Sequence, residues 1–122
     1  MFRVKYFRDT RGNEPIRDYL KELAERAETS KNERVNLSKI LEYLKILQNY
    51  GTKAGEPYVK HIENDLWELR PGKNRIFFFY FKDGAFVLLH HFIKKTQKTP
   101  KREIKQAQRN MEEVIERSRD YE

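Results

Sequence analysis

Two apolar runs joined by one short turn dominate the second half of the chain, which reads Ile76-Phe77-Phe78-Phe79-Tyr80-Phe81-Lys82-Asp83-Gly84-Ala85-Phe86-Val87-Leu88-Leu89. Asp-Gly between two apolar runs is a strong short-range signal for a β-hairpin. Both runs are apolar on both faces instead of alternating, which is typical of strands that are covered on both sides. We therefore predict a buried hairpin that needs a layer of structure on each face of its sheet.

Further elements can be placed outward from this hairpin. Residues 65–70 predict a strand, joined to the hairpin by the turn at residues 71–74, and residues 2–8 alternate apolar and basic side chains as a strand does. Two amphipathic helices lie between these strands, the first opening at residues 13–15 and the second ending at Gly51, and helical spacing returns after Pro100. This order predicts one α+β domain over residues 1–122, with an antiparallel sheet of about four strands packed against an N-terminal helical hairpin and a C-terminal helix.

Composition excludes several classes of protein. The 122 residues include no cysteine, which excludes a disulfide scaffold, a cysteine nucleophile and a thiolate metal site. The first residues alternate charged and aromatic side chains instead of forming the apolar core of a signal peptide, and the longest apolar run is far too short to span a membrane. We expect a cytoplasmic protein with no membrane partner.

The formal net charge of +7 is concentrated in one segment. Residues 94–109 contain a single acidic residue, Glu103, and seven basic ones, which are Lys94, Lys95, Lys98, Lys101, Arg102, Lys105 and Arg109. Such a cluster is the electrostatic footprint of a polyanion partner, or else the solvated face of a helix.

Strand pairing predicts which side chains meet. If Lys82 pairs with Ala85, then Arg75 pairs with Phe92 and Phe77 with His90, and alternation puts one set of polar residues on one face of the sheet: Glu68, Arg70, Arg75, His90 and Lys94. His91 and Lys95 fall on the other face unless a bulge re-aims them. Two neighbouring arginines repel each other unless an anion lies between them. That anion is either Glu68, in an internal ion-pair network, or the phosphate of a ligand.

No metal or cofactor is expected. The three histidines show no ligand spacing, the glycines serve turns and do not form a phosphate loop, and no Ser-His-Asp arrangement can be argued from spacing. The aromatic run at residues 77–81 fits core packing better than a platform for stacking bases.

Two segments resemble a known family. Leu66-Trp67-Glu68-Leu69-Arg70 followed by Asn74-Arg75-Ile76-Phe77-Phe78-Phe79 is similar to the strand core of RelE/ParE-type toxins, and the more distinctive Phe92-Ile93-Lys94-Lys95-Thr96-Gln97-Lys98-Thr99-Pro100 resembles the HigB branch, which is related to phage-derived toxins. The resemblance implies a RelE-like fold, a HigA-type helix-turn-helix antitoxin as partner, and operator DNA bound through the toxin–antitoxin complex. It also implies ribosome-dependent, metal-independent cleavage of messenger RNA by attack of the ribose 2′-hydroxyl.

The resemblance also implies roles for individual residues. Arg75 matches the arginine that contacts the scissile phosphate, Arg70 matches a frequent basic position, and Lys95 or its neighbour Lys94 matches the basic residue after the last core strand. His90 or His91 could shuttle a proton. Five further cations are candidates for contacts with RNA and the ribosome: Lys73, Lys98, Lys101, Arg102 and Lys105. The chain lacks the C-terminal catalytic Tyr or His of some members, and Tyr121 lies too close to the chain end to match it.

Two other functions fit the same fold. ParE relatives bind DNA gyrase and are not nucleases, and a plain nucleic-acid-binding module would also account for the basic segment. Arg75 together with the cations at residues 94–98 favours RNA.

Overall fold

The computed structural model describes all 122 residues and contains a five-stranded sheet with helices on both faces. The strands are β1 (Arg3–Tyr6), β2 (Val59–Glu63), β3 (Leu66–Leu69), β4 (Asn74–Lys82) and β5 (Ala85–Ile93). The helices are α1 (Pro15–Ala27), α2 (Lys31–Tyr50) and α3 (Lys101–Glu116), and short 3₁₀ segments cover Gly51–Ala54 and Ser118–Tyr121. None of the helices is both long and apolar enough to cross a membrane.

Residues at the helix ends determine where the two helices of the hairpin begin and end. Pro15 occupies the first turn of α1, where its missing N–H costs nothing, and Ser30 caps α2 by accepting a hydrogen bond from the Glu33 N–H at 3.2 Å. Gly51 ends α2 with a φ of 59°, which suits glycine. These signals give two helices joined by a short link, as predicted.

The sheet has the order β1-β5-β4-β3-β2. The β4–β5 pairing confirms the predicted register, with Lys82 opposite Ala85, Arg75 opposite Phe92 and Phe77 opposite His90. The register shifts by one residue after Phe77 and shifts back before Lys82. Because the two shifts compensate each other, regular alternation from the turn pairs the strand ends correctly.

The predicted α+β class, helical hairpin and C-terminal helix are confirmed, and the arrangement is compatible with a RelE-like fold. The sheet has five strands where about four were expected, and it is mixed because β1 runs parallel to β5. The edge strand β2 was not predicted, since only Val59 of its five residues is fully buried and its apolar pattern is weak. The prediction that β1 is antiparallel to its neighbour was wrong. A tight turn would have made it antiparallel, but β1 is followed by a helical hairpin, which allows the chain to return in the parallel direction.

Apolar clusters fill both sides of the sheet, as expected for strands covered twice. One cluster packs α1 and α2 against Leu69, Ile76, Phe78 and Leu88, and the other packs α3 against Leu66, Phe77, Phe79 and Val87. Side chains of consecutive residues in β4 therefore point to different helical layers. This alternation determines which face each polar residue at the strand ends will reach.

Candidate functional site

The site lies where the turn between β3 and β4 meets the segment that follows β5. Arg70 directly follows β3, and the turn closes when the Asn74 N–H donates to the Pro71 carbonyl at 3.0 Å. The Lys94 N–H donates to the Lys73 carbonyl at 2.8 Å, which fastens the start of the basic segment to this turn. Arg70, Arg75 and residues 94–99 are thereby brought to one corner of the α3 face.

Arg75 is anchored to the turn by its own side chain. Its Nη1 donates to the carbonyls of Gly72 and Asn74, both at 2.8 Å, and the residue is only 7% exposed. Burial, and then the charge of nearby Arg70, lower the pKa of the Arg75 guanidinium. Both of these hydrogen bonds come from Nη1, which leaves Nη2 available to a ligand in the adjoining pocket.

A buried carboxylate lies beneath the two arginines. Glu68 is 1% exposed, and its Oε1 is 3.5 Å from Arg70 Nε and 4.0 Å from Arg75 Nε. Thr99 Oγ1 donates to Glu68 Oε2 at 3.3 Å, which ties the basic segment to the sheet. Burial raises the pKa of the Glu68 carboxyl, although both arginines act in the opposite direction. Glu68 is thus an internal counter-ion, which is one of the two roles that the sequence left open. One carboxylate cannot neutralise both guanidiniums, so positive charge remains around Arg70 and Arg75.

The surrounding side chains form a small pocket that we call the basic pocket. Its volume is about 10 Å³, and its lining consists of Arg70, Arg75, Phe92, Lys94, Thr96, Gln97, Lys98 and Thr99. A volume of this size is enough for one water molecule or a single phosphate oxygen. Four cations surround that space, whereas two carboxylates lie against Arg70: the buried Glu68, and the exposed Glu56, whose Oε1 is 3.4 Å from Arg70 Nη1. Positive charge is therefore in excess, and the basic pocket favours an anion.

Most of the remaining predicted cations lie outside the basic pocket. Of the adjacent pair at the end of β5, Lys94 lines the pocket, whereas Lys95 is exposed and does not. Lys73 is exposed on the turn, and the first two turns of α3 expose Lys101, Arg102 and Lys105. Lys98 belongs to both groups, because it is exposed and also lines the pocket.

The structure places His91 on the opposite face of the sheet, as alternation predicted. Its Nε2 is 2.9 Å from Asn74 Oδ1 and its ring stacks on Tyr19 with centroids 4.1 Å apart. Asn74 in turn accepts a hydrogen bond from the Tyr19 hydroxyl and donates one to Asn36, so the cluster connects α1, α2, β4 and β5. Burial, and then the charge of His90, lower the pKa of His91 to about 4, so the imidazole is neutral at pH 7.

His90 lies on the same face as Arg75 but outside the lining of the basic pocket. Its Nε2 is 2.7 Å from Glu103 Oε1, and its ring is parallel to that of Phe77 with centroids 6.3 Å apart. In this arrangement His90 connects β5 to the first turn of α3.

Sequence reasoning missed several residues of the site. Thr96, Gln97 and Thr99 line the basic pocket although only the lysines of that run were singled out. Phe92 also lines it, a position that its pairing with Arg75 could have indicated. Tyr121 is far from the pocket: its hydroxyl accepts a hydrogen bond from the Arg8 N–H at 2.8 Å. No group of three or more His, Asp or Glu side chains is arranged to hold a metal ion.

Comparison with known proteins identifies a family. A model of the family described as phage derived protein Gp49-like (DUF891) matches residues 18–112, which include α2, strands β2 to β5, most of α3 and the whole lining of the basic pocket. No curated protein matches the chain.

Proposed function

The chain belongs to the phage-derived Gp49-like family, and from this membership and the basic pocket we propose that it is a toxin that cleaves messenger RNA on the ribosome. The family is toxin-like, of the RelE/HigB type found in toxin–antitoxin systems, and it implies an antitoxin partner. The RNA substrate, the ribosome dependence and the HigB-type identity are parts of the proposal.

The observation that carries the proposal is the anchored guanidinium of Arg75 in the basic pocket. Cleavage of RNA by its own 2′-hydroxyl forms a bond from the 2′-oxygen to phosphorus and breaks the bond from phosphorus to the 5′-oxygen. The products are a 2′,3′-cyclic phosphate and a 5′-hydroxyl. Negative charge accumulates on the phosphoryl oxygens as this happens, and donors that are already in position stabilise it best. Arg75 meets this need because Nη1 is held by two carbonyls while Nη2 is free.

The other pocket cations fit supporting roles. Arg70 lies beside Arg75 over the shared Glu68 carboxylate, so the two guanidiniums can contact two oxygens of one phosphate. Lys94 faces the same space and can stabilise charge or transfer a proton. Because the RNA supplies the nucleophile, the reaction needs no bound metal. His91 holds the helical hairpin to the sheet on the far face, so we do not assign it a step in the reaction.

The exposed cations support docking on ribosomal RNA. Lys73, Lys98, Lys101, Arg102 and Lys105 extend from the mouth of the basic pocket along the start of α3. A phosphate backbone attracts such a surface without regard to sequence. We propose that this surface aligns the toxin on the ribosome while Arg75 contacts the messenger RNA, in the cytoplasm.

The proposed partner in the cell is a HigA-type helix-turn-helix antitoxin, and the complex of the two would bind operator DNA. Both proposals rest on the family and on the resemblance of residues 92–100 to HigB toxins.

Induction of the toxin in bacteria, followed by primer-extension mapping of transcripts, tests the proposal. We expect cuts inside translated reading frames that disappear when translation initiation is blocked. Lys94→Ala should reduce these cuts strongly, whereas the matched control Lys95→Ala, one residue outside the pocket, should keep them. Intact transcripts together with DNA damage would contradict the proposal and support inhibition of gyrase. RNA binding without cleavage would also contradict the proposal and would support the alternative of a nucleic-acid-binding module.

A further inference from the structure

The basic pocket is too small to hold a nucleotide. Its volume of about 10 Å³ accommodates a phosphate oxygen, so the sugar and base attached to that phosphate lie outside the pocket. Arg70, Gln97, Lys98 and Thr99 line the basic pocket on one side and a second, larger groove on the other. The basic pocket and this groove are therefore adjacent and share one wall.

We call the larger space the side groove. It has a volume of about 500 Å³ and runs between the edge strand β2 and the segment that leads into α3. Besides the four shared residues it is lined by Lys60, His61, Ile62 and Ile104. Ile62 and Ile104 are partly buried and pack against the α3-side core, which makes them a firm apolar surface within a mainly polar groove.

Charge in the side groove also favours an anionic ligand. Lys60 pairs with Glu68 across the β2–β3 ladder, so its side chain lies on the same face of the sheet as the arginines. Lys60 is exposed, as is Lys98 on the opposite side, and Arg70 lies at the junction with the basic pocket. Cations around a small apolar surface match a nucleotide, whose phosphate is charged and whose base has an apolar face.

A groove of similar volume on the other face of the sheet lacks these properties. It measures about 470 Å³, its lining is mostly aromatic with Lys53 as its single cation, and it shares no residue with the basic pocket.

We propose that the side groove binds the nucleotide adjoining the scissile phosphate, with its base against Ile62 and Ile104 and its far phosphate between Lys60 and Lys98. This rests on the proposed function, because it takes the phosphate in the basic pocket as its starting point. The side groove then fixes the direction in which the RNA leaves the site, and Lys60 and Ile62 of β2 contribute to substrate selection.

The test compares two ligands by NMR on the labelled, full-length protein. Inorganic phosphate should shift only signals around the basic pocket, such as Arg75 and Lys94. A 2′-deoxy trinucleotide, which cannot undergo cleavage by a 2′-hydroxyl, should shift these signals and also those of residues 60–62 and Ile104. Lys60→Glu should weaken trinucleotide binding by about tenfold, because a charge-assisted contact is replaced by a repulsion. The matched control Lys53→Glu, in the aromatic groove, makes the same charge change and should leave binding unaltered.

The outcomes separate the two proposals. A trinucleotide that shifts only the basic pocket, or one that binds Lys60→Glu as tightly as wild type, overturns the side groove and leaves the proposed nuclease intact. If neither ligand shifts the basic pocket, the side-groove proposal fails, and transcript mapping alone decides the nuclease. A trinucleotide bound in the side groove of a protein that cuts no transcript would support the groove and overturn the nuclease.

Discussion

Protonation of His91 should loosen the attachment of the helical hairpin to the sheet. The imidazole is packed between Tyr19 and the strand end, with its Nε2 2.9 Å from Asn74 Oδ1. Because Asn74 Oδ1 is an acceptor, the neutral ring donates through Nε2. Burial and the neighbouring His90 lower the pKa of His91 from 6.5 to about 4, and the opposing effect of Glu103 is smaller.

The size of the effect follows from the two pKa values. Above pH 6.5 the imidazole is neutral in both folded and unfolded chains, so its packing contributes fully to stability. Between pH 6.5 and 4 the unfolded chain binds the proton more readily, so stability falls as the pH falls. A difference from 6.5 to about 4 corresponds to roughly 3 kcal/mol in full, of which about 2 kcal/mol should be lost between pH 7 and pH 4.5.

Urea denaturation at pH 7 and pH 4.5 measures this loss for wild type and for His91→Gln. The glutamine amide can still donate to Asn74 but does not titrate. Between pH 7 and pH 4.5 the His91→Gln variant should therefore lose about 2 kcal/mol less unfolding free energy than wild type. His61→Gln removes an exposed imidazole and serves as the matched control, which should follow wild type. Equal losses for wild type and His91→Gln would refute the assignment of a neutral, buried His91.

Three further predictions concern the site and its surroundings. Arg75→Lys keeps a charge but loses the fork that holds Gly72 and Asn74, so cleavage of ribosome-bound RNA should fall by ~10²–10³; a folded variant with the wild-type rate would remove Arg75 from the mechanism. Ribosome binding should weaken steeply with salt, and reversing the charge at Lys98, Lys101 and Lys105 should reduce it more than it reduces the free energy of unfolding; an unchanged affinity would indicate that these residues are merely solvated. The antitoxin should protect residues 14–50 from hydrogen exchange by docking on the polar side of α1 and blocking entry to the ribosome, and protection limited to residues 70–98 would instead indicate direct occlusion of the basic pocket.

Local patterns in the sequence were enough to predict much of the fold and the side chains that part of the candidate site brings together. The Asp83-Gly84 turn determines the β4–β5 pairing, and that pairing puts Arg75 and His90 on one face and His91 on the other. The proximity of Arg70 to Arg75 follows from the four-residue turn between them. In each case neighbours along the chain, or across one hairpin, determine the geometry.

Features that depend on contacts between residues far apart in the chain could not be predicted from the sequence. No turn links β1 to β5, so neither the pairing nor its parallel direction is encoded locally. Lys94 lines the basic pocket and its neighbour Lys95 does not, and the Lys94–Lys73 hydrogen bond at this point joins the end of β5 to the turn between β3 and β4, a contact that no local pattern predicts. The complete burial of Glu68 requires β3, β4 and residue Thr99 together, which no single segment of the sequence reveals.

The pairing of β1 with β5 also has a consequence for the time at which the protein becomes harmful during its synthesis. Arg3 pairs with Ala85, so the first strand has no partner until most of the chain has left the ribosome, and the lining of the basic pocket ends only at Thr99. The helical hairpin, by contrast, is complete by Tyr50 and is held by contacts close in sequence. At about 5–20 residues per second, several seconds separate the emergence of the hairpin from that of the last pocket residue. An antitoxin that recognises α1 would therefore meet a nascent chain that displays its binding surface before the basic pocket, the proposed site of RNA cleavage, is complete.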